Sequence, residues 1–258
     1  MAGFFHKIKD FIYKTNILVS RSKEYYDKQD LELKMTQEML WRDVFVDTVA
    51  GYEWYKKKSI SLGRWAIGYN YAYVLARVLN EFKPSGILEC GLGQSSKIMI
   101  DYVSANENVT YDIVEQDKNW VEFFQKNCAL DSRMKIHVRN IVETDFSGGG
   151  ADHIAKTYMY EDFASVVEGK KYALLSIDGP WGNRQYSRVD VIEHIPTILE
   201  DDFVIMVDDF ERVGEQNMIK LLKDKLRSNN ITFYEAKYAG MSDVCVIVSE
   251  RWSFLTSL

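Results

Sequence analysis

Several acidic side chains of this chain sit where short apolar runs end, and glycines follow the first of them. The run Ile87-Leu88-Glu89-Cys90 gives way to Gly91-Leu92-Gly93-Gln94-Ser95-Ser96, and a helical pattern through Ile98, Met99 and Tyr102 follows. Glycine at 91 and 93 lets backbone approach a ligand where a Cβ would clash. The helix opened by Ser95 and Ser96 offers unpaired N–H groups to an anionic group. Together these features describe a nucleotide-type cofactor site at a strand-to-helix turn. A second β-rich run, residues 109–115, ends in Glu115, 22 residues beyond Gly93. A carboxylate there can accept hydrogen bonds from both hydroxyls of a ribose. Two more runs end in Asp178 and in Asp208-Asp209. Acids at adjacent strand ends repel one another and need a cation, a proton or a basic partner.

The elements that must position these groups alternate along the chain. Helical patterns cover residues 3–50, with a break expected near Thr15-Asn16, and residues 67–82, closed by Pro84. Strands are predicted at 86–90, 109–115, 135–139, 172–177 and 203–207. Helices are predicted at 95–104, 118–128, 158–168, 187–199 and 214–228, with a polar, glycine-bearing stretch at 144–152. The last two strands, 231–237 and 244–249, have no helix between them and must pair antiparallel. Strands alternating with helices give an α/β fold, a mostly parallel sheet covered on both faces. Ligands of such sheets lie beyond the carboxyl ends of the strands, where all the acids above converge.

The letters of the glycine turn separate cofactor classes. A dinucleotide fingerprint carries a third glycine, and Ser96 stands in its place. The form E-x-G-x-G-x-S resembles motif I of the class I S-adenosylmethionine (SAM) methyltransferases. Residues 59–258 resemble bacterial methyltransferase-like proteins of surface-polysaccharide gene clusters. The likeness is carried by Gly63-Arg64-Trp65, residues 87–96, Trp120 with Phe123-Phe124, residues 177–188, residues 207–215 and the terminal Phe254-Leu255-Thr256-Ser257-Leu258. It implies a Rossmann-like, doubly wound sheet of seven strands ending in an antiparallel hairpin; residues 1–58, outside the likeness, read from their own helical pattern as an N-terminal helical extension. The likeness also implies SAM as cofactor, with Glu89, Gly91, Gly93, Ser95 and Ser96 around its methionine part and Glu115 on its ribose. In such enzymes the segment before the first strand often covers the SAM pocket, which makes Trp65, Tyr69 and Asn70 further candidates.

For the chemistry two arrangements stay open. Asp178, Asp208 and Asp209 could hold Mg²⁺ or Mn²⁺ through oxygen ligands, as in the metal-dependent O-methyltransferases of the catechol and macrolide-sugar types, and the metal would acidify the acceptor hydroxyl. Alternatively Asp178 is a general base, with Arg184 or Arg188 balancing the charge. The glycine-rich loop Asp178-Gly179-Pro180-Trp181-Gly182-Asn183-Arg184 departs from the metal-dependent pattern. Helix capping is a third role for the acids, better suited to Asp209 than to Asp178. Trp181, Asn183, Arg184, Tyr186 and Arg188 offer the aromatic and hydrogen-bonding surface that suits a sugar ring. His194, between Ile192 and Ile195, reads as structural.

Composition bounds the remainder. Of 258 residues 47% are hydrophobic and 14% aromatic, enough for a sizeable core, and the net charge of −6 argues against a nucleic-acid binder. Cys90, Cys128 and Cys245 have no metal-ligand spacing and read as buried free thiols in a cytoplasmic protein. No apolar run reaches bilayer length. Residues 1–23 carry Lys7, Lys9, Lys14, Arg21 and Lys23 against Asp10, a net charge of +4, and Phe4, Phe5, Ile8, Phe11 and Ile12 share a helix face. That start could touch an anionic membrane peripherally; docking on the domain or homo-oligomerisation is the favoured role. The expectation is therefore a SAM-dependent O-methyltransferase of a sugar hydroxyl in a surface polysaccharide or its precursor. A non-catalytic or other nucleotide-binding protein on the same fold is the alternative.

Overall fold

The computed structural model describes residues 2–56, 60–62, 66–148 and 155–257, with side chains from residue 15 onward. Trp65, with Gly63 and Arg64, lies outside the described residues, as does the expected boundary at 58. The chain opens with helix α1 (Ala2–Val49), 48 residues without interruption. The break expected near Thr15-Asn16 is absent, because each residue costs a helix interior only about 0.7 kcal/mol relative to Ala and neither is Gly or Pro. Phe45 and Val49 are buried, and Trp41 Nε1 donates to the Ala239 carbonyl at 2.7 Å, so the last turns of α1 dock on the domain.

Helix α2 (Tyr69–Arg77) continues into a π-helical turn, Val78–Phe82. Then β1 (Gly86–Cys90), α3 (Gln94–Ala105), β2 (Thr110–Glu115), α4 (Lys118–Asn127) and β3 (Met134–Val138) follow closely the expected alternation. The next stretch departs from it. In place of a polar loop and a helix over 158–168 there is an antiparallel hairpin, β4 (Ile141–Phe146) with β5 (Ala155–Tyr160), and only a five-residue helix α5 (Phe163–Val167). Ala155 and Thr157 are buried while Lys156 and Tyr158 are exposed, a strand period, and the Tyr186 carbonyl and Asp190 bond Thr157 and Tyr160 from a later loop.

Strand β6 (Tyr172–Ile177) leads through a loop to a 3₁₀ stretch, Val189–His194, where a longer helix was expected. Pro196 stops it, since proline cannot continue the hydrogen-bond ladder. Strand β7 (Leu199–Val207), helix α6 (Val213–Ser228), strands β8 (Phe233–Tyr238) and β9 (Val244–Ser249) and a final 3₁₀ stretch, Glu250–Thr256, complete the chain.

The seven-stranded sheet runs β3-β2-β1-β6-β7-β9-β8, with β9 antiparallel to both β7 and β8 and the other pairs parallel. This is the doubly wound, Rossmann-like sheet with an antiparallel terminal hairpin. Its central strands β1 and β6 are buried throughout, because helices cover both faces. Tyr71, Leu75, Leu79 and Ile98 fill one face; Met218, Leu222, Val189 and Phe163 fill the other. All three cysteines are buried and free. Strand order reverses between β1 and β6, and the loops after these two strands frame the crevice expected of such a switch point.

Candidate active site

The two loops meet through their backbones. Gly91 N donates to the Val114 carbonyl and Asp178 N to the Cys90 carbonyl, each at 2.9 Å. Gly91 has φ +97°, and a Cβ on it would lie 3.1 Å from the carbonyl carbon of Asp178. Gly91 is thus required by its own conformation and by the neighbouring strand end. Gly93 differs: a Cβ there would meet only Ser95 Oγ, at 3.9 Å, and a larger side chain would project into open space.

That space is a cavity of about 1140 Å³ beyond the carboxyl ends of β1, β2, β6 and β7. Gly91 to Gln94 form one wall, with Glu115, Asp117 and Trp120 beside them. Glu115 Oε1 accepts from Gln116 N at 2.7 Å and Asp117 N at 2.8 Å, and its Oε2 accepts from Leu92 N at 2.9 Å. A carboxylate has about four acceptor sites, so one stays open on Oε2. Trp120 Nε1 donates to the Leu92 carbonyl at 2.7 Å, and Asp117 caps α4 by accepting from Asn119 N and Trp120 N.

Glu89, Ser95 and Ser96 lie behind the turn, bonded to one another, and do not line the cavity. Ser95 Oγ donates to Glu89 Oε1 at 2.5 Å and Ser96 Oγ to Oε2 at 2.6 Å, with Tyr111 Oη a third donor. Gly93 N in turn donates to Ser96 Oγ at 2.9 Å. Burial pushes the Glu89 carboxyl up to about 7, against the three hydroxyls, which favour its charged form. Their expected direct contact with a cofactor is corrected to positioning: they set the shape of the turn.

The candidates upstream of β1 separate likewise. Tyr69 lines the cavity, and its N donates to Glu38 Oε1 at 2.6 Å. Asn70 is fully buried and points elsewhere. Its Nδ2 donates to the carbonyls of Tyr238 at 2.9 Å and Ser242 at 2.7 Å, bracing the β8–β9 turn. Glu38 lines the cavity from α1 and was not foreseen, since an acid on a helix face carries no local signal of a partner 31 residues away.

Opposite the glycine turn sits the acid cluster, and Arg188 is at its centre. Arg188 Nη2 donates to Asp178 Oδ1 at 2.9 Å and to Asp209 Oδ2 at 2.5 Å, while Nη1 donates to the Asp208 carbonyl at 2.6 Å. Glu215 Oε1 lies 3.7 Å from Arg188 Nε, and Arg212 Nη1 lies 2.8 Å from Asp209 Oδ2. Asp208 Oδ1 accepts from Asp209 N and Ser242 Oγ, both at 2.9 Å. Burial pushes Asp178 up to about 6, with Asp209 and Glu89 adding to it and Arg188 opposing. Asp208 is raised well above the ordinary carboxylate range by burial and by Asp178 and Asp209. The Asp178 side chain keeps 29% of its surface open to the cavity, so this acid faces whatever enters.

A hard cation held by Asp178, Asp208 and Asp209 does not fit this arrangement. The guanidinium already bridges Asp178 and Asp209, and Asp208 turns its Oδ1 to other donors. Among the described residues no group of three or more His, Cys, Asp or Glu side chains is disposed to hold a metal ion. Of the two expected counter-charges, Arg188 fills the role, and Arg184 is exposed at the cavity mouth. His194 packs its ring 5.6 Å from that of Phe163.

The loop after Asp178 forms the outer rim. Asn183 Oδ1 accepts from Gln185 N and Tyr186 N, both at 2.7 Å, which fixes its turn. Trp181 is 68% exposed on the cavity wall, and its ring lies 6.4 Å from that of Tyr158 on β5. The unexpected hairpin therefore adds an aromatic side chain to the rim.

No family model matches the chain, and no curated protein matches it in sequence. Solved structures resemble it in fold. A Podospora anserina methyltransferase with bound SAH aligns at 13% identity and TM-score 0.49, over 81% of this chain and 87% of that one. The O-methyltransferase TomG of Streptomyces achromogenes, in complex with SAM, aligns at 13% identity and TM-score 0.47, over 80% and 89%. An O-methyltransferase from Bacillus cereus in complex with SAH aligns at 12% identity and TM-score 0.47, over 81% and 90%. The fold assignment itself rests on the sheet order and strand directions given above.

Proposed function

We propose that this protein is a SAM-dependent O-methyltransferase that methylates a sugar hydroxyl of a surface polysaccharide or its precursor. The observation that carries the reading is one cavity with two chemically different ends: a glycine turn with an acid on the neighbouring strand, and a carboxylate poised to take a proton. The residues fit the cofactor, because the space a Gly93 Cβ would enter is free and Glu115 keeps an acceptor site beside it. Residues 91–94, Glu115 and Trp120 would hold SAM, with Tyr69 on the facing wall. Bound SAM supplies an electrophilic methyl group.

The chain's own task is to orient the acceptor and remove its proton. Asp178 is the base, and a carboxyl near 6 is ionised at neutral pH yet more basic than an ordinary carboxylate. Arg188 holds Asp178 in place and carries the positive charge that lets Asp208 and Asp209 sit beside it. Trp181 and Tyr158 offer aromatic faces, and Asn183 and Arg184 polar groups, for a sugar ring at the rim.

Calorimetric titration with SAM and with NAD tests the cofactor; SAM should bind and NAD should not. Gly93→Val should abolish SAM binding, and Glu115→Ala should weaken it by about 1–3 kcal/mol. Unchanged SAM affinity in both folded variants would remove this placement. Transfer of labelled methyl from SAM into a glycan extract tests the acceptor class. Incorporation into another acceptor alone would overturn the sugar assignment and leave the cofactor assignment standing.

A further inference from the structure

From Leu18 onward helix α1 carries a second apolar face that its own domain does not use. Adjacent apolar pairs recur every seven residues: Phe4-Phe5, Phe11-Ile12, Leu18-Val19, Tyr25-Tyr26 and Met39-Leu40, with Leu33 alone in the remaining repeat. From Leu18 onward the members of this stripe (Leu18, Val19, Tyr25, Tyr26, Leu33, Met39 and Leu40) are 58% to 69% exposed. Helical geometry sets Glu38, Trp41 and Phe45, which face the domain, on the opposite side of the helix. A strict seven-residue repeat keeps its stripe facing a partner only when two helices supercoil about each other.

Charge along the helix says which partner. Residues 1–23 have a net charge of +4, whereas residues 24–43 carry Glu24, Asp27, Asp30, Glu32, Glu38 and Asp43 against Lys28, Lys34 and Arg42, a net charge of −3. An anionic lipid surface would attract the first half and repel the second, although the stripe runs through both. A second copy in reverse orientation satisfies both halves. We infer that α1 pairs antiparallel with α1 of another copy of this chain, about a twofold axis near Ser22.

The stripe is self-complementary in that register. Leu18-Val19 meets the partner's Tyr25-Tyr26, so the described part of the stripe pairs with itself across the axis. Such a contact is isologous, closes on itself and yields a dimer rather than a fibre. The inference is independent of the cofactor and of the reaction.

The full-length protein tests it. Sedimentation at micromolar concentration should give twice the chain mass, and Val19→Asp with Tyr26→Asp should give a monomer. Both positions are exposed and remote from the core, and an unchanged melting temperature of the domain would show that the variant is folded. Under mild oxidation Ser22→Cys should cross-link to itself. Thr15→Cys alone should not, while Thr15→Cys with Gln29→Cys should, because those residues face each other only in the reversed register. A monomeric parent protein, or self-cross-linking of Thr15→Cys equal to that of Ser22→Cys, would overturn the antiparallel pair. Flotation of a monomer with phosphatidylserine vesicles would assign the stripe to a lipid surface instead.

Discussion

Two clusters in this molecule set buried carboxylates against basic side chains, and they have opposite characters. At the first, Asp112 on β2 accepts from His137 Nε2 at 2.6 Å, Lys170 Nζ at 2.9 Å and Tyr172 Oη at 3.1 Å. Burial alone would raise its pKa, but the bonds from His137 and Lys170 outweigh it and hold the carboxyl below its usual value. At the second, the carboxylates of Asp178, Asp209 and Glu215 and the backbone carbonyl of Asp208 share Arg188, with Arg212 reaching Asp209 and Glu211. Acids outnumber bases there, and Asp178 is pushed up to about 6. Burial is the largest upward push on both acids, and what opposes it differs. Asp112, bonded by His137, Lys170 and Tyr172, is a structural tie, whereas Asp209 and Glu89 add to the push on Asp178 and Arg188 only partly opposes it, which leaves a carboxylate with proton affinity to spare. Placement agrees with this: Asp112 lies mid-strand, and Asp178 follows the end of β6, beside the cavity.

The largest break in this contrast should come from Arg188→Met. It leaves several buried acids without their counter-charge, and a loss of about 3–5 kcal/mol in urea unfolding is expected. A loss below 1 kcal/mol would mean that the acids are already neutral through shared protons.

Exchanging carboxylate for amide should separate structure from chemistry. Asp112→Asn should cost about 1–3 kcal/mol of stability by weakening the bonds from Lys170 and His137, with SAM affinity unchanged. Asp178→Asn should leave stability close to the parent's and lower methyl transfer about 10²–10⁴-fold. Turnover of Asp178→Asn at the parent rate would reduce Asp178 to a structural role.

The two acids should also bend the pH dependence of stability in opposite senses. A carboxyl raised in the folded state contributes stability that is present below its unfolded pKa and lost as pH rises through its folded value, near 6 for Asp178. A depressed one contributes stability above its unfolded pKa that is lost as pH falls through its folded value. The melting temperature of Asp178→Asn relative to the parent should therefore climb between about pH 4 and 6. The deficit of Asp112→Asn should shrink as pH drops below about 4. Parallel curves for parent and variants would remove the contrast.

The smallest effect is expected for Lys170→Met. The Lys170 side chain is 35% exposed, water screens its pair, and about 1 kcal/mol or less should be lost, diminishing with salt.

The sequence by itself determined the sheet and where its ligand edge lies. Residues 86–90, 172–177 and 244–249 read as strands with their observed bounds, because buried central strands are uninterrupted apolar runs that end where acids and glycines begin. The same edge supplied Gly93, Glu115, Asp178, Asp208, Asp209 and Arg188 as candidates. Only the tertiary structure decided which groups each of them meets. A Cβ on Gly91 would press on the Asp178 backbone, whereas one on Gly93 would meet only Ser95 Oγ, a difference that depends on what stands opposite each Cα. Whether the acids hold a metal depended on where Arg188 swings, and its guanidinium is set by contacts with residues 10 to 27 positions away. The hairpin at 141–160 was misread because its alternation is short and its stabilising partners, the Tyr186 carbonyl and Asp190, lie in a later loop. Glu38 was invisible for the same reason. Local pattern specifies an element, but the partner of a side chain is fixed by chain segments that meet only when the sheet is built.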